Sequence, residues 1–256
     1  MSTLKLTLLQ HPLIWLDGAA NLRHFANQLA GIEGRDLIIL PEMFTTGFAM
    51  DAPQHALPQA EVVNWMSEWA QRCNAMIGGS VALQTARGAV NRFLLVDPSG
   101  NVHHYDKRHL FRMAGEHEYY TAGQQRTLVE WRGWRILPQV CYDLRFPVWS
   151  RNHQDYDLAL YVASWPAPRA PHWQTLLAAR AIENQAYVAG CNRVGTDGNG
   201  HHYQGDSRII TPQGEILAQA QANESARLDA ELSLEALQSY RESFPAWRDA
   251  DRFTLQ

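Results

Sequence analysis

Cysteine is scarce in this sequence. The 256 residues contain three, Cys73, Cys141 and Cys191, which are odd in number, far apart and in no CxxC arrangement. That pattern excludes a disulfide framework and a cysteine zinc cluster, and it leaves at least one thiol free. An excess of basic charge is also missing. The formal net charge is −4 and the two signs are interspersed, so no basic stripe is available to neutralise a phosphate backbone, and nucleic acid is not expected as a partner. Long apolar runs are absent as well. The opening MSTLKLTLLQHPLIW is broken by Gln10, His11 and Pro12 before a signal-peptide core can form. No run approaches the roughly 20 residues needed to span a bilayer. The expectation is a soluble, cytoplasmic protein with no membrane partner. No Ser/Gly/Pro-rich linker or charge block divides the chain, so residues 1–256 read as a single domain whose 46% apolar content suffices for a full core.

What is present is an alternation of strand-like and helix-like segments. Leu4 to Leu9 reads as a strand, Leu22 to Leu29 as a helix, and Asp36-Leu-Ile-Ile-Leu40 as a strand apolar on both faces. Helical spacing over Glu61 to Cys73 and a strand from Met76 to Val81 follow. Phe93 to Val96 and Val102 to Tyr105 form a hairpin around DPSGN, and Lys107 to Gly123 reads as a long loop. The pattern then restarts: a strand from Arg135 into Cys141, a strand over Asp157 to Ala163, a helix over Trp173 to Asn184 and a strand over Ala186 to Val194. A second hairpin around TPQG and an amphipathic helix from Leu232 to Tyr240 close the chain. Two β-α runs suggest two sheets packed face to face with helices outside, although one doubly wound sheet would also account for most of the pattern.

Three polar side chains stand at the ends of apolar strands, where a strand fixes a residue and the following loop opens a cleft around it. Glu42 follows Leu-Ile-Ile-Leu-Pro at the edge of a dry core, where a poorly hydrated carboxylate is a better base; the alternative is a first-turn helix residue behind Pro41. Lys107 ends the hairpin in His-Tyr-Asp-Lys-Arg-His, placed either to stabilise an oxyanion or simply to be solvated. Cys141 lies where a strand meets a turn, and there backbone amides and a cation can depress a thiol and make it a nucleophile; the alternative is a structural cysteine. Cys73, on an apolar helical face, and Cys191, inside AYVAGCNRV, suit the structural role better. The eleven histidines single out no partner for Cys141. The pairs His103-His104 and His201-His202 read poorly as metal ligands, because adjacent side chains point apart on a strand and no HExxH spacing occurs.

LPEMFTTGF with Glu42, YDKRHLF with Lys107 and CYDLRFP with Cys141 resemble the three signature segments of the nitrilase superfamily of carbon-nitrogen hydrolases, and GDSRIITPQGEILA is also similar to the family pattern. The resemblance covers nearly the whole chain. It implies an α/β fold, a four-layer αββα sandwich, usually paired into homodimers, with the segment from about residue 232 packing at the subunit interface. It implies Cys141 as nucleophile, Glu42 as general base and Lys107 as oxyanion stabiliser. It also implies an auxiliary glutamate before Gly123, which is Glu116 by spacing with Glu118 as rival. RFPVW and SWPAPRAPHW look most like the omega-amidase branch. The implied reaction hydrolyses the distal amide of a small 2-oxo acid, 2-oxoglutaramate or 2-oxosuccinamate, to the dicarboxylate and ammonia through a Cys141 thioester, with no metal or organic cofactor. Tyr142 and a cation for the substrate carboxylate complete the expected site. Arg145, Arg169 and Arg193 are the candidate cations, Arg169 first because its Pro-rich loop joins a strand to a helix. Because the triad alone does not choose a substrate, other amidases, carbamoyl hydrolases, nitrilases and a non-catalytic binder remain alternatives.

Overall fold

In the computed structural model, which describes residues 3–251, 253 and 254, the apolar alternation of each strand sorts its side chains into separate layers. The first sheet contains β1 (Thr3–Gln10), β2 (Leu37–Ile39), β3 (Met76–Thr85), β4 (Gly88–Val96), β5 (Val102–Asp106) and β14 (Ala226–Ser233), in the order β14-β1-β2-β3-β4-β5. The second contains β6 (Val129–Trp131), β7 (Trp134–Val140), β8 (Leu158–Ala163), β9 (Tyr187–Asn192), β12 (Arg208–Ile210) and β13 (Ile216–Gln219), in the order β13-β12-β9-β8-β7-β6. In each sheet the three central strands run parallel and the flanking strands antiparallel. A separate ribbon pairs β10 (Val194–Thr196) with β11 (His202–Gln204).

Period-two patterning turns Leu4, Leu6, Leu8, Leu37 and Ile39 toward Ile136, Val140, Leu158, Leu160 and Val162 of the other sheet, and these residues share one buried core. The opposite face of the first sheet, with Leu9, Ile38, Leu40 and Ile77, is covered by helices α1 (Gly18–Leu29) and α3 (Gln59–Cys73) through Leu22, Phe25, Leu29, Val62, Met66 and Trp69. The opposite face of the second is covered by α5 (Ala170–Asn184) through Trp173, Leu177 and Ala181. The architecture is therefore αββα, as expected. Helix ends follow local chemistry. Asp17 caps α1 by accepting from the Ala20 amide at 2.9 Å, and α3 and α5 stop at Asn74 and Gln185 in the left-handed conformation.

Several expectations need correction. Residues 226–233 form β14, which pairs along its full length with β1, so the last helix, α6 (Leu234–Ser243), begins at Leu234 rather than Leu232. The strand escapes pattern reading because only Leu228 and Leu232 are buried, with Asp229 and Glu231 among residues that face outward or lie at the edge. An unexpected hairpin precedes the expected one, since β3 runs to Thr85 and pairs with β4, which starts at Gly88 rather than Phe93. Buried polar Asn91 hides its alternation. The loop from Lys107 to Gly123 holds a 3-10 turn at Arg112–Ala114, the helical turns α4 (Glu116–Tyr119), and its return point at Gly123, whose missing side chain lets it approach Asp106. A Cβ there would lie 2.0 Å from the Asp106 carbonyl oxygen. A short helix, α2 (Ala52–His55), lies between β2 and α3.

The inter-sheet core carries the stability of this arrangement. Leu160, fully buried on central strand β8, should cost about 2–5 kcal/mol when cut to Ala. Urea unfolding should show this as a lower midpoint with an unchanged slope.

Candidate active site

Four side chains or backbone groups from both sheets meet at the ends of their strands. Glu42 lies three residues beyond β2, Lys107 follows β5, Cys141 follows β7 and Ser164 follows β8. The Glu42 carboxylate is fully buried. Its Oε1 accepts from Lys107 Nζ at 3.0 Å and Asn91 Nδ2 at 2.8 Å, and its Oε2 accepts from the Ser164 backbone N–H at 2.7 Å. The chain reverses sharply there. Met43 has a φ of +47°, and Ser80 holds the turn by accepting from the Met43 amide at 2.9 Å.

Lys107 is 1% exposed and is shared between two carboxylates. Besides Glu42, its Nζ donates to Glu116 at 2.9 and 3.0 Å. Burial on its own would lower this lysine, but Glu116 and then Glu42 outweigh it and hold the ammonium well above the ordinary lysine value. For Glu116 the balance runs the other way. Burial, opposed by Lys107 and reinforced by Glu42, lifts its carboxyl above the usual range. Glu116 is buried and also accepts from the Phe111 amide, whereas Glu118 is exposed, so of the two glutamates it is Glu116 that meets Lys107.

Cys141 opens a 3-10 turn, Cys141–Arg145, with a φ of +46°. The thiol is turned toward Glu42 and the Ser164 carbonyl. The amides and cation that can depress a thiol are outweighed here. Burial and the neighbouring negative Glu42 push it up more strongly than Lys107 pulls it down, so at rest it is a neutral thiol. A base must take its proton when it reacts. The carboxylate able to do so is already in place.

Cys141, Lys107 and Ser164 border a cavity of about 540 Å³ walled by Phe48, Tyr142, Trp165 and Tyr203, a size suited to a small molecule rather than a polymer. Arg145 and Arg169 are half-buried in the same wall, one over the Trp165 ring at 4.6 Å and the other over Phe111 at 5.4 Å. Among the described residues neither is ion-paired, and the polar contact Arg145 makes is to the His172 ring nitrogen, at 3.1 Å. Burial and the like charge of Arg169 push Arg145 down, against Tyr142. Arg193 is different. It is fully enclosed behind the cavity wall, stacked on Tyr203 at 4.7 Å, so it does not face the cavity. Among the described residues no group of three or more His, Cys, Asp or Glu is arranged to hold a metal ion. Asn91, Ser164 and Tyr203 are the contributors that sequence reading missed. Only the polar residue inside an otherwise strand-like GAVNRFLLV hinted at the first.

The carbon-nitrogen hydrolase family profile matches residues 5–242. The chain belongs to that family. Relatives include the omega-amidase YafV of Escherichia coli (strain K12), 72% identical over 255 residues and the full length of both chains. The 2-oxoglutaramate amidase of Bacillus subtilis (strain 168) is 34% identical over 220 residues, 84% of each chain. The crystal structure of XC1258 from Xanthomonas campestris, a CN-hydrolase superfamily protein with an arsenic adduct in its active site, matches all of both chains at 45% identity with a TM-score of 0.97.

In this carbon-nitrogen hydrolase, replacing Glu42 by Gln removes a charge that raises the Cys141 thiol and leaves Lys107, which lowers it. Cys141 of Glu42→Gln should therefore titrate at lower pH than in the parent, measured by ultraviolet thiolate absorbance across a pH series. Amide turnover should nevertheless fall by about 10²–10⁴-fold, because no base remains for the later proton transfers.

Proposed function

We propose that this carbon-nitrogen hydrolase is an omega-amidase that hydrolyses the distal amide of 2-oxoglutaramate, and of the shorter 2-oxosuccinamate, to the dicarboxylate and ammonia. The observation that carries this reading is the charge arrangement of the cavity. Two guanidiniums without carboxylate partners among the described residues, Arg145 and Arg169, share a wall with the Cys141 thiol. A substrate with a carboxylate at one end and an amide at the other fits that polarity, and the named relatives act within the same class.

The chemistry follows from the neutral resting thiol. Glu42 takes the Cys141 proton as Sγ attacks the amide carbon. Lys107 Nζ and the Tyr142 backbone N–H carry the negative charge that forms on the carbonyl oxygen. Collapse of the tetrahedral adduct breaks the carbon-nitrogen bond, Glu42 gives its proton to the departing ammonia, and a Cys141 thioester remains. Water enters, Glu42 takes its proton, and a second collapse releases the carboxylic acid and restores the thiol. Glu116 holds Lys107 in place and, raised by burial, is suited to sharing a proton with the site. Tyr142 and Arg145 line the substrate on the nucleophile side, and Arg169 binds the far carboxylate.

The enzyme works as one carbon-nitrogen hydrolase unit paired into a homodimer. Exposed apolar Ile182 on α5, Ile216 and Leu217 on β13, and Phe244 after α6 support pairing through the C-terminal region. Three free cysteines suit a reducing cytoplasm.

Ammonia release from 2-oxoglutaramate tests the reading. Cys141→Ala should abolish it. Arg169→Met should raise KM for 2-oxoglutaramate by about ten- to a hundredfold, the worth of a charge-assisted contact, while leaving an uncharged amide of the same length nearly unaffected. Equal kcat/KM of the parent for the charged and uncharged amides would reject 2-oxo acids as the substrate class.

A further inference from the structure

Asp143 takes part in no step assigned above, yet it is fully buried and both of its oxygens are saturated with donors. Oδ1 accepts from the His109 backbone N–H at 3.0 Å and meets the His109 Nδ1 at 2.7 Å. Oδ2 accepts from the Tyr105 hydroxyl at 2.8 Å and from the Val140 backbone N–H at 3.0 Å. The positions of these partners matter more than their number. Tyr105 and His109 stand two residues to either side of Lys107. Val140 and Asp143 bracket Cys141. One carboxylate therefore ties the end of β5, in the first sheet, to the end of β7, in the second.

The surroundings stiffen this junction. Trp149 Nε1 donates to the Tyr105 hydroxyl at 3.0 Å and the Arg108 amide donates to it at 3.2 Å, while the His109 ring stacks on Phe146 with centroids 3.8 Å apart. Cys141 itself sits in the left-handed region, a conformation that a residue with a side chain keeps only when its neighbours impose it. No hydrogen bond within the turn restrains the thiol directly.

We propose that Asp143 is a positioning residue, which locks the turn carrying Cys141 against the strand end carrying Lys107 and so sets the distance between nucleophile and ammonium. The inference rests on those two residues acting together as described above. A carboxylate only accepts, and here it meets three donors, with the His109 Nδ1 a fourth when that nitrogen carries the proton. An amide of the same shape has a single acceptor oxygen and presents its own N–H groups to at least one backbone N–H that cannot turn away. Asp143→Asn thus opens the lock without changing side-chain volume.

The test compares Asp143→Asn and Tyr105→Phe with the parent in the full chain, measuring melting temperature, kcat and KM for 2-oxoglutaramate, and the rate at which iodoacetamide alkylates Cys141, followed by peptide mass spectrometry. Asp143→Asn should lower both kcat and the alkylation rate by about tenfold or more with KM within about threefold, because misplacing reacting groups acts on the reaction rather than on binding. Tyr105→Phe should move both rates the same way by a smaller factor. A purely structural role would lower the melting temperature and leave both rates of the folded protein within about twofold of the parent. That result in Asp143→Asn overturns the proposal; if this variant yields no folded protein, the same result in Tyr105→Phe overturns it. Should the parent fail to hydrolyse 2-oxoglutaramate, the functional reading falls, while the alkylation rates still decide the role of Asp143.

Discussion

A single buried ammonium divided between two buried carboxylates governs the chemistry of this protein. Lys107 bonds Glu42 and Glu116 at about 3 Å where none of the three meets water. Taking such charges out of water is expensive, and breaking one partner of a buried set leaves an uncompensated charge costing about 3–5 kcal/mol. The group therefore stands or falls as a unit. With both glutamates ionised it carries one negative charge in excess, and Cys141 faces that excess. Ionising the thiol would add a second negative charge to an already negative pocket, which together with burial pushes the thiol up and keeps the proton on sulfur. The same excess sets the polarity of the cavity. Negative charge lies at the buried end, while Arg145 and Arg169, without ion-pair partners among the described residues, lie in the half-buried wall, a polarity that suits the proposed placement of a substrate carboxylate on Arg169, away from the buried carboxylates.

The fold supplies that arrangement because the residues come from both sheets. Glu42 and Lys107 belong to the first, Cys141 and the Ser164 amide to the second, and the Ser164 amide donates to Glu42 across the gap. Neither sheet alone contains a site. The tightly packed layer of Leu4, Leu6, Leu8, Leu158, Leu160 and Val162 between them therefore acts on catalysis as well as on stability, since it fixes the spacing of the two halves.

Much of this was legible in the chain. The apolar run before Glu42, the hairpin before Lys107 and the strand before Cys141 each end where the side chain must act, and their match to family segments joined them into one site. Period-two and helical spacing likewise recovered the layers. What escaped reading has a common physical origin. Asn91 and Asp143 are polar residues buried by tertiary contacts that no local pattern encodes, and β14 exposes charge along an edge strand that buries only Leu228 and Leu232, in the core between the sheets. The state of Cys141 was not legible for a related reason. A cation next to a thiol suggests a thiolate, but the sign of the field depends on how many carboxylates share that cation, and their meeting in space is invisible in sequence.

Backbone strain beside Glu42 and at Cys141 follows from the same geometry. Met43, next to the proposed base Glu42, and Cys141, the proposed nucleophile, both have positive φ without being glycine. Conformations of this kind cost on the order of 1–3 kcal/mol each and persist only where surroundings over-determine them. Each has its own restraint: Ser80 bonds the Met43 amide, and Asp143 bonds the Val140 amide before Cys141. A strand running straight on would carry these side chains into the packed core, and a glycine would free the turn but remove the thiol. The left-handed residue is the way to end a strand abruptly, turn its side chain into the gap between sheets and still keep a functional group there. The fold holds that conformation with buried polar groups that do no chemistry themselves, which is why those groups are as much a part of the site as the residues that react.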